Sequence, residues 1–365
     1  MNNDGKIGSR EALTLLIIIM TGKIFLSFPR DMVLLGQTAG WFLVILAGLV
    51  SLIAFAFLSN LLKRFPGKNL LQISTEIFGT VLGNVFNCIL FFFFLIITAL
   101  FFRQFAESFI ISILPHTPIS VISLGFMFIL VYSCHLGIEA ISRLAQFYGP
   151  FVLLALIFIF GFSLKNADFQ QLAPVFGPGI LPLLKETLPQ TSIFSEILLL
   201  GIIAPLIREK NKLFKIGITS LLISIVISTF VTALVTLVYN YESANKLLFP
   251  IFQLARLVSI ERFAQRTEAF FVFLWFFIAG LNLSGLFYSA VTSFAQTFRI
   301  KNYQPLIIPL GLLVYTISLI PSNMTQSVDF NSFKMNNYYA LIFLGIPLIL
   351  WLGALILRKG IRSKS

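Results

Sequence analysis

Apolar runs of about twenty residues recur from one end of the chain to the other, and each can cross a hydrocarbon core about 30 Å thick. Only 11% of the residues are charged, where a soluble domain carries about 25%. The runs are continuous rather than alternating, which excludes a β-barrel. The pattern predicts an all-α polytopic membrane protein in a lipid bilayer, with ten transmembrane helices at roughly 11–35, 40–61, 84–113, 118–136, 147–165, 190–207, 213–240, 268–298, 303–321 and 337–357. The first run does not read as a cleaved signal, because no small-residue cleavage site follows it and further spans do. No hydrophilic stretch is long enough to form an aqueous catalytic module.

The net charge of +12 fits cytoplasmic loops rich in Lys and Arg, not nucleic-acid binding. With the N-terminus inside, the inner loops hold Lys63, Arg64 and Lys68, then Arg143, then Arg208, Lys210, Lys212 and Lys215, then Arg299 and Lys301. The tail adds Arg358, Lys359, Arg362 and Lys364. One outer loop runs against the trend, with Lys246, Arg256, Arg262 and Arg266, but cytoplasmic N- and C-termini fit best. Two amphipathic stretches, 69–83 and 249–263, read as surface helices on the inner and outer sides. Cys88 and Cys134 lie in apolar runs and read as small buried hydrophobes.

The first span is interrupted at "MTGKIFLSFPR", Met20–Arg30. Pro29 lacks an amide hydrogen and disfavours helix at the residue before it, and Gly22 adds backbone freedom. A helix broken inside a bilayer exposes amides and carbonyls that lipid cannot satisfy, so it survives only in protein or beside a cavity. Secondary transporters build midplane binding sites in this way. The other reading is a proline kink with Lys23 snorkelling to an interface. The sixth span opens "PQTSIFSEILLLGIIAP", where Thr191, Ser192, Ser195 and Glu196 interrupt the run and Pro205 closes it. An intramembrane carboxylate is costly, and Glu196 is either a functional group or a packing partner, with Lys23 one candidate mate.

Span three carries "RQFAE", whose Arg103 and Glu107 share a helical face and suit a local ion pair. Ile97 and Thr98 lie nearer its middle. Span eight gathers Asn282, Ser284, Tyr288 and Ser289 between Gly280 and Gly285, either as interhelical glue or as ligand contacts. His116 and His135 belong to no metal-binding or acid–base constellation, and the sequence holds no HExxH, GxSxG or P-loop. Neither an enzyme, nor a cofactor, nor a metal site is expected.

Taken in order, "GKIFLSFPR", "RFPGKNL", "RQFAE", "FSEILLLGIIAP" and "FPIFQLARLVSIERFAQRTEAFFVFLWF" resemble the endospore germination permease family, the B subunits of germinant receptors. That family is a branch of the amino acid–polyamine–organocation superfamily, and the likeness runs over nearly the whole chain. It implies a 5+5 inverted repeat with helices one and six broken, the repeats falling at about 11–165 and 190–357. It further implies a nutrient sensor in the endospore inner membrane that binds a small germinant, often an amino acid. Partner A and C subunits would carry the signal. Two positions depart from the family pattern: Lys23 and Ile24 follow Gly22 where GxG is common, and Ser195 stands where Gly often precedes the glutamate. Lys23 could stand in for a coupling cation. The expected site comprises the break at Gly22, Lys23, Ile24, Phe25 and Ser27, and that at Thr191, Ser192, Phe194, Ser195 and Glu196. Ile97 and Thr98 from span three, with Asn282 and Leu286 from span eight, are expected to line the sides. A proton-coupled amino-acid transporter, with Glu196 or Lys23 carrying the proton, is the alternative.

Overall fold

A computed structural model of the chain describes residues 5–257 and 267–360, with no side chains described for 267–270. Seven of its helical stretches are long and apolar enough to cross a membrane. One of these, Ile119–Asn166, would be about 70 Å long if straight, twice what a bilayer needs. It divides at Gly137, whose φ of 82° takes the chain out of helix. The stretch Phe28–Arg64 likewise joins the second half of span one to span two. With the first half, Ser9–Thr21, and the shorter Gln304–Ser318, the described residues contain ten spans.

Two boundaries move. Span five begins directly after Gly137 rather than at 147, because 138–146 stays helical and Arg143 pairs with Glu139 one turn earlier. Span six begins at Ile180 rather than 190, since Lys185 and Glu186 dilute an otherwise apolar helix, Ile180–Gln190. The inner-surface segment is a helix from Leu70 that breaks at Gly79 (φ 78°) before span three begins. Asn69 and Gln72 cap its start reciprocally, at 2.9 and 3.1 Å. Ser74 and Asn87, 2.6 Å apart, hold it against span three. The outer amphipathic segment is helical over Pro250–Leu257, and its remainder, with Arg262, lies outside the described residues, as does Arg266.

Both predicted interruptions are present. Helix Ser9–Thr21 gives way to a 3-10 turn, Gly22–Phe25, then an extended Leu26, and helix resumes at Phe28–Gly36. Pro29 occupies the first turn of the new helix, where a missing N–H costs nothing. In span six, Ile180–Gln190 passes into seven residues of 3-10 helix, Thr191–Ile197, before Leu198–Ile203. Such runs seldom exceed three or four residues, and long ones mark strain or a functional hinge. The start of span one and the end of span six are tied by backbone: Ile7 N–H donates to Leu206 O (2.9 Å) and Arg208 N–H to Ile7 O (3.0 Å). Beside this tie, Ser9 donates from both its amide and its hydroxyl to the Glu209 carboxylate, and these bonds hold that carboxyl below its ordinary range. Large apolar side chains such as Phe128, Val226, Leu312 and Leu341 stay exposed, the surface expected against lipid.

Candidate functional site

The Lys23 side chain leaves the first break and reaches the second. Its ammonium donates to the Glu196 carboxylate and to the Ile193 carbonyl, 2.5 Å away. Lys23 is 7% exposed and Glu196 fully buried. The Ile193 carbonyl that Lys23 meets lies within the 3-10 stretch of span six. The Phe101 ring of span three lies 5.8 Å from the same ammonium. A buried ion pair pays for its desolvation only when every remaining hydrogen-bonding site is filled, and here Glu196 Oε2 has no partner. The pair therefore joins the two interrupted helices without locking them at their deepest stability.

Beside this pair lies a cavity of about 50 Å³, several times the space one water needs. Span one lines it with Lys23, Ser27 and Asp31, span three with Ile97, Phe101 and Gln104, and span six with Gln190, Ser192 and Ile193. The fourth side comes from Asn331 and Ser332, in the turn before span ten, and from Asn336 and Tyr339 within it. Asn336 clasps span six: its Nδ2 donates to Gln190 Oε1 at 2.9 Å and its Oδ1 accepts from the Ser192 hydroxyl. Gln104 Nε2 donates to Ser327 O at 3.3 Å. Among the described residues no group of three or more His, Cys, Asp and Glu could hold a metal ion.

A family model described as spore germination protein matches residues 6–327. The chain belongs to this spore germination family. It is a germination-related, permease-like multi-pass membrane protein, and it resembles the B subunits of germinant receptors. Among family members, spore germination protein KB of Bacillus subtilis (strain 168) is 26% identical over 366 residues, covering 99% of this chain and 97% of that protein. Spore germination protein A2 of the same organism is 25% identical and covers 95% and 94%. Solved transporters share the fold. MHP1, a nucleobase-cation-symport-1 family transporter in a closed conformation with bromovinylhydantoin bound, superposes with a TM-score of 0.72 at 14% identity, over 97% of this chain and 79% of that one. MhsT in complex with L-phenylalanine gives 0.64 at 15%, over 96% and 99%. The fold is thus the amino-acid-transporter inverted repeat, with its interruptions in spans one and six.

Of the residues expected at a site in this spore germination protein, Lys23, Ser27, Ile97 and Ser192 come together around the cavity, and Glu196 reaches it through Lys23. Ile24, Phe25 and Phe194 are buried in the apolar core, as is Leu286. Thr98 donates to Phe94 O and Thr191 to Leu188 O, each closing a bond within its own helix, and Ser195 donates to Ser192 O at 2.6 Å. Gly22 and Asn282 pack on each other, and Asn282 Nδ2 donates to Ile19 O (2.6 Å), satisfying a carbonyl at the end of the first half-helix. Asn282 thus buttresses the break from behind. The pair within "RQFAE" forms at 2.6 Å, and Arg103 also donates to Ser322 O. It is Gln104, between them, that lines the cavity. Sequence reading missed Asp31, Gln104, Gln190, Asn331, Ser332, Asn336 and Tyr339. Asp31 carried a signal, being a carboxylate one turn beyond Ser27 in an apolar span, whereas nothing in the order of residues assigns the fourth wall to span ten.

Proposed function

We propose that the chain is the B subunit of a germinant receptor, seated in the inner membrane of a bacterial endospore with both termini in the cytoplasm. It binds a small polar nutrient in the cavity beside the two breaks and signals germination through A and C subunits. The observation that carries this reading is the buried Lys23–Glu196 link, which joins the two interrupted helices next to a polar hollow. A ligand touching Ser27 and Asp31 on one helix and Gln190 and Ser192 on the other binds best at one mutual setting of the repeats, about 11–165 and 190–357. It therefore favours that setting over others. Moving such an equilibrium from 1:99 to 99:1 takes about 5.5 kcal/mol of differential binding, and a handful of charge-assisted hydrogen bonds supplies it.

Spores carrying Ser192→Ala or Gln104→Ala should need a higher nutrient concentration for half-maximal germination. An unchanged dose–response in both removes the cavity from the sensing site. The fold shared with MHP1 and MhsT favours one rival, a proton-coupled amino-acid transporter. Accumulation of labelled amino acids in vesicles that hold this chain alone, driven by a pH gradient, would establish that rival.

A further inference from the structure

A second hollow opens at the inner ends of spans two, six and seven, with a volume of about 270 Å³ against about 50 Å³ for the cavity beside the breaks. Its floor is apolar. Phe55 and Leu62 come from span two, Leu200 from span six, and Phe214 from the first turn of span seven. The rings of Phe55 and Phe214 stack at 6.0 Å, and Phe214 is 42% exposed, so the apolar floor continues to the surface of the bundle.

The mouth is basic. Lys63 reaches across from span two and sets its ammonium 4.5 Å from the centre of the Phe214 ring. Lys210 comes in from the loop after span six, and its ammonium sits so near the Pro66–Gly67 turn that a Cβ on Gly67 would stand 3.3 Å away. Ser59 and Asn211 add neutral hydrogen-bonding groups. Among the described residues no carboxylate pairs with either ammonium. Neighbouring basic residues are engaged elsewhere: Lys68 pairs with Glu76, Lys212 with Glu209 at 4.0 Å, and Arg64 donates to Ala354 O and Lys359 O. Glu209, the acid next to Lys210 in sequence, is held by Ser9 and Lys212.

We propose that this hollow holds an anionic phospholipid, with its phosphate between Lys63 and Lys210 and the start of an acyl chain along the apolar floor. Two features select that occupant together. Paired ammoniums without a carboxylate favour an anion, and basic pockets between spanning helices at the inner membrane surface take phosphorylated lipid headgroups. A free phosphate would satisfy the ammoniums equally, but it leaves Phe55, Leu62, Leu200 and Phe214 uncovered, and an acyl chain buries such apolar surface. The height fits too, since the hollow lies where span two ends at Arg64 and span seven begins at Leu213, the level of headgroups. Span seven also brings the positive end of its helix there, Leu213 being part of the lining. Because Lys63 belongs to span two and Lys210 to the loop after span six, one headgroup bridges the two and opposes their separation. The site is independent of what the cavity beside the breaks binds.

The test is thermal unfolding of the full chain in neutral detergent, titrated with phosphatidylglycerol, phosphatidylcholine of the same chains, or inorganic phosphate. Phosphatidylglycerol should raise Tm at concentrations where phosphatidylcholine does not. Lys63→Gln and Lys210→Gln should each weaken that binding about fivefold, and the two together about 25-fold. Lys212→Gln with Lys215→Gln removes the same charge outside the lining and should leave the binding nearly unchanged. Lys63 and Lys210 are exposed, so their loss is tolerated by the fold, and Lys210→Glu replaces the double variant if that one does not fold. Equal weakening by the two double variants would mean diffuse surface attraction and overturn the site. Phosphatidylcholine acting as well as phosphatidylglycerol would overturn the role of the lysines. A shift from inorganic phosphate that the loss of Lys63 and Lys210 removes, with no added effect of phosphatidylglycerol, would overturn the lipid in favour of a soluble phosphate. No shift from any probe would end the proposal.

Discussion

At the residue scale the decisive feature is an ammonium and a carboxylate removed from water and placed between two helix breaks. Lys23→Met leaves Glu196 buried without a counter-charge and should cost about 3–5 kcal/mol, whereas the double change to Met at both positions should recover most of that loss. Thermal unfolding of the single and double variants in detergent checks this; a double variant no better than the single one would deny that the pair is coupled. Gly22 offers a second reading of the same region. A Cβ there would lie 2.8 Å from Asn282 Nδ2 and 3.2 Å from its Cβ and Cγ. Gly22→Ala should therefore cost about 1–3 kcal/mol by overpacking, and much less where Asn282 has already been truncated to Ala. A cycle of the two substitutions that is additive within about 0.5 kcal/mol would show that they do not meet. Lys23 and Glu196 were legible in the sequence because a charge inside an apolar run is conspicuous. Asn331 and Asn336 were not, because an amide near the end of a span looks like any other boundary residue until the turn at 330–334 folds it inward.

Elements were easier to read than their joints. Hydropathy locates helices by length, and it found every span. It is blind to glycine geometry, and so it inserted a loop where Gly137 alone turns the chain. It also lost the front half of span six to Lys185 and Glu186, although that half delivers Gln190 to the cavity. The surface helix before span three depends on close approach: a Cβ on Gly83 would come within 2.4 Å of the Thr75 Cα. Backbone cannot yield as a flexible side chain can, so Gly83→Ala should force the two helices apart. The expected result is earlier tryptic cleavage at Lys68 and a lower Tm; an unchanged digestion pattern would mean that the backbone relaxes around the methyl.

At the scale of the whole molecule, the basic residues of the inner loops predict the orientation. In a chain with Cys88 and Cys134 replaced by Ala, a membrane-impermeant thiol reagent added outside should label His116→Cys and spare Asn302→Cys. Both native positions are exposed in the fold. The opposite pattern would invert the topology and put the cavity on the wrong route for the nutrient proposed above. The order of breaks and spans could be read from sequence through the family likeness. The wall that closes the cavity could not, since it comes from packing the last span against the sixth.

The backbone tie at Ile7 has a mechanical consequence for the two broken spans. The N-terminal residues act as a catch: the start of span one and the end of span six cannot part there until two backbone hydrogen bonds and the grip of Ser9 on Glu209 let go. Because folding lowers the Glu209 pKa, the support it lends is present above the ordinary carboxylate range and fades as pH falls through and below it. Acid should loosen the catch, and Glu209→Gln should loosen it at neutral pH, both read as faster proteolysis at Lys6 and Arg10. In a receptor of the kind proposed above, the stiffness of the trigger would be set by one solvent-facing carboxylate, Glu209, which does not line the cavity beside the breaks.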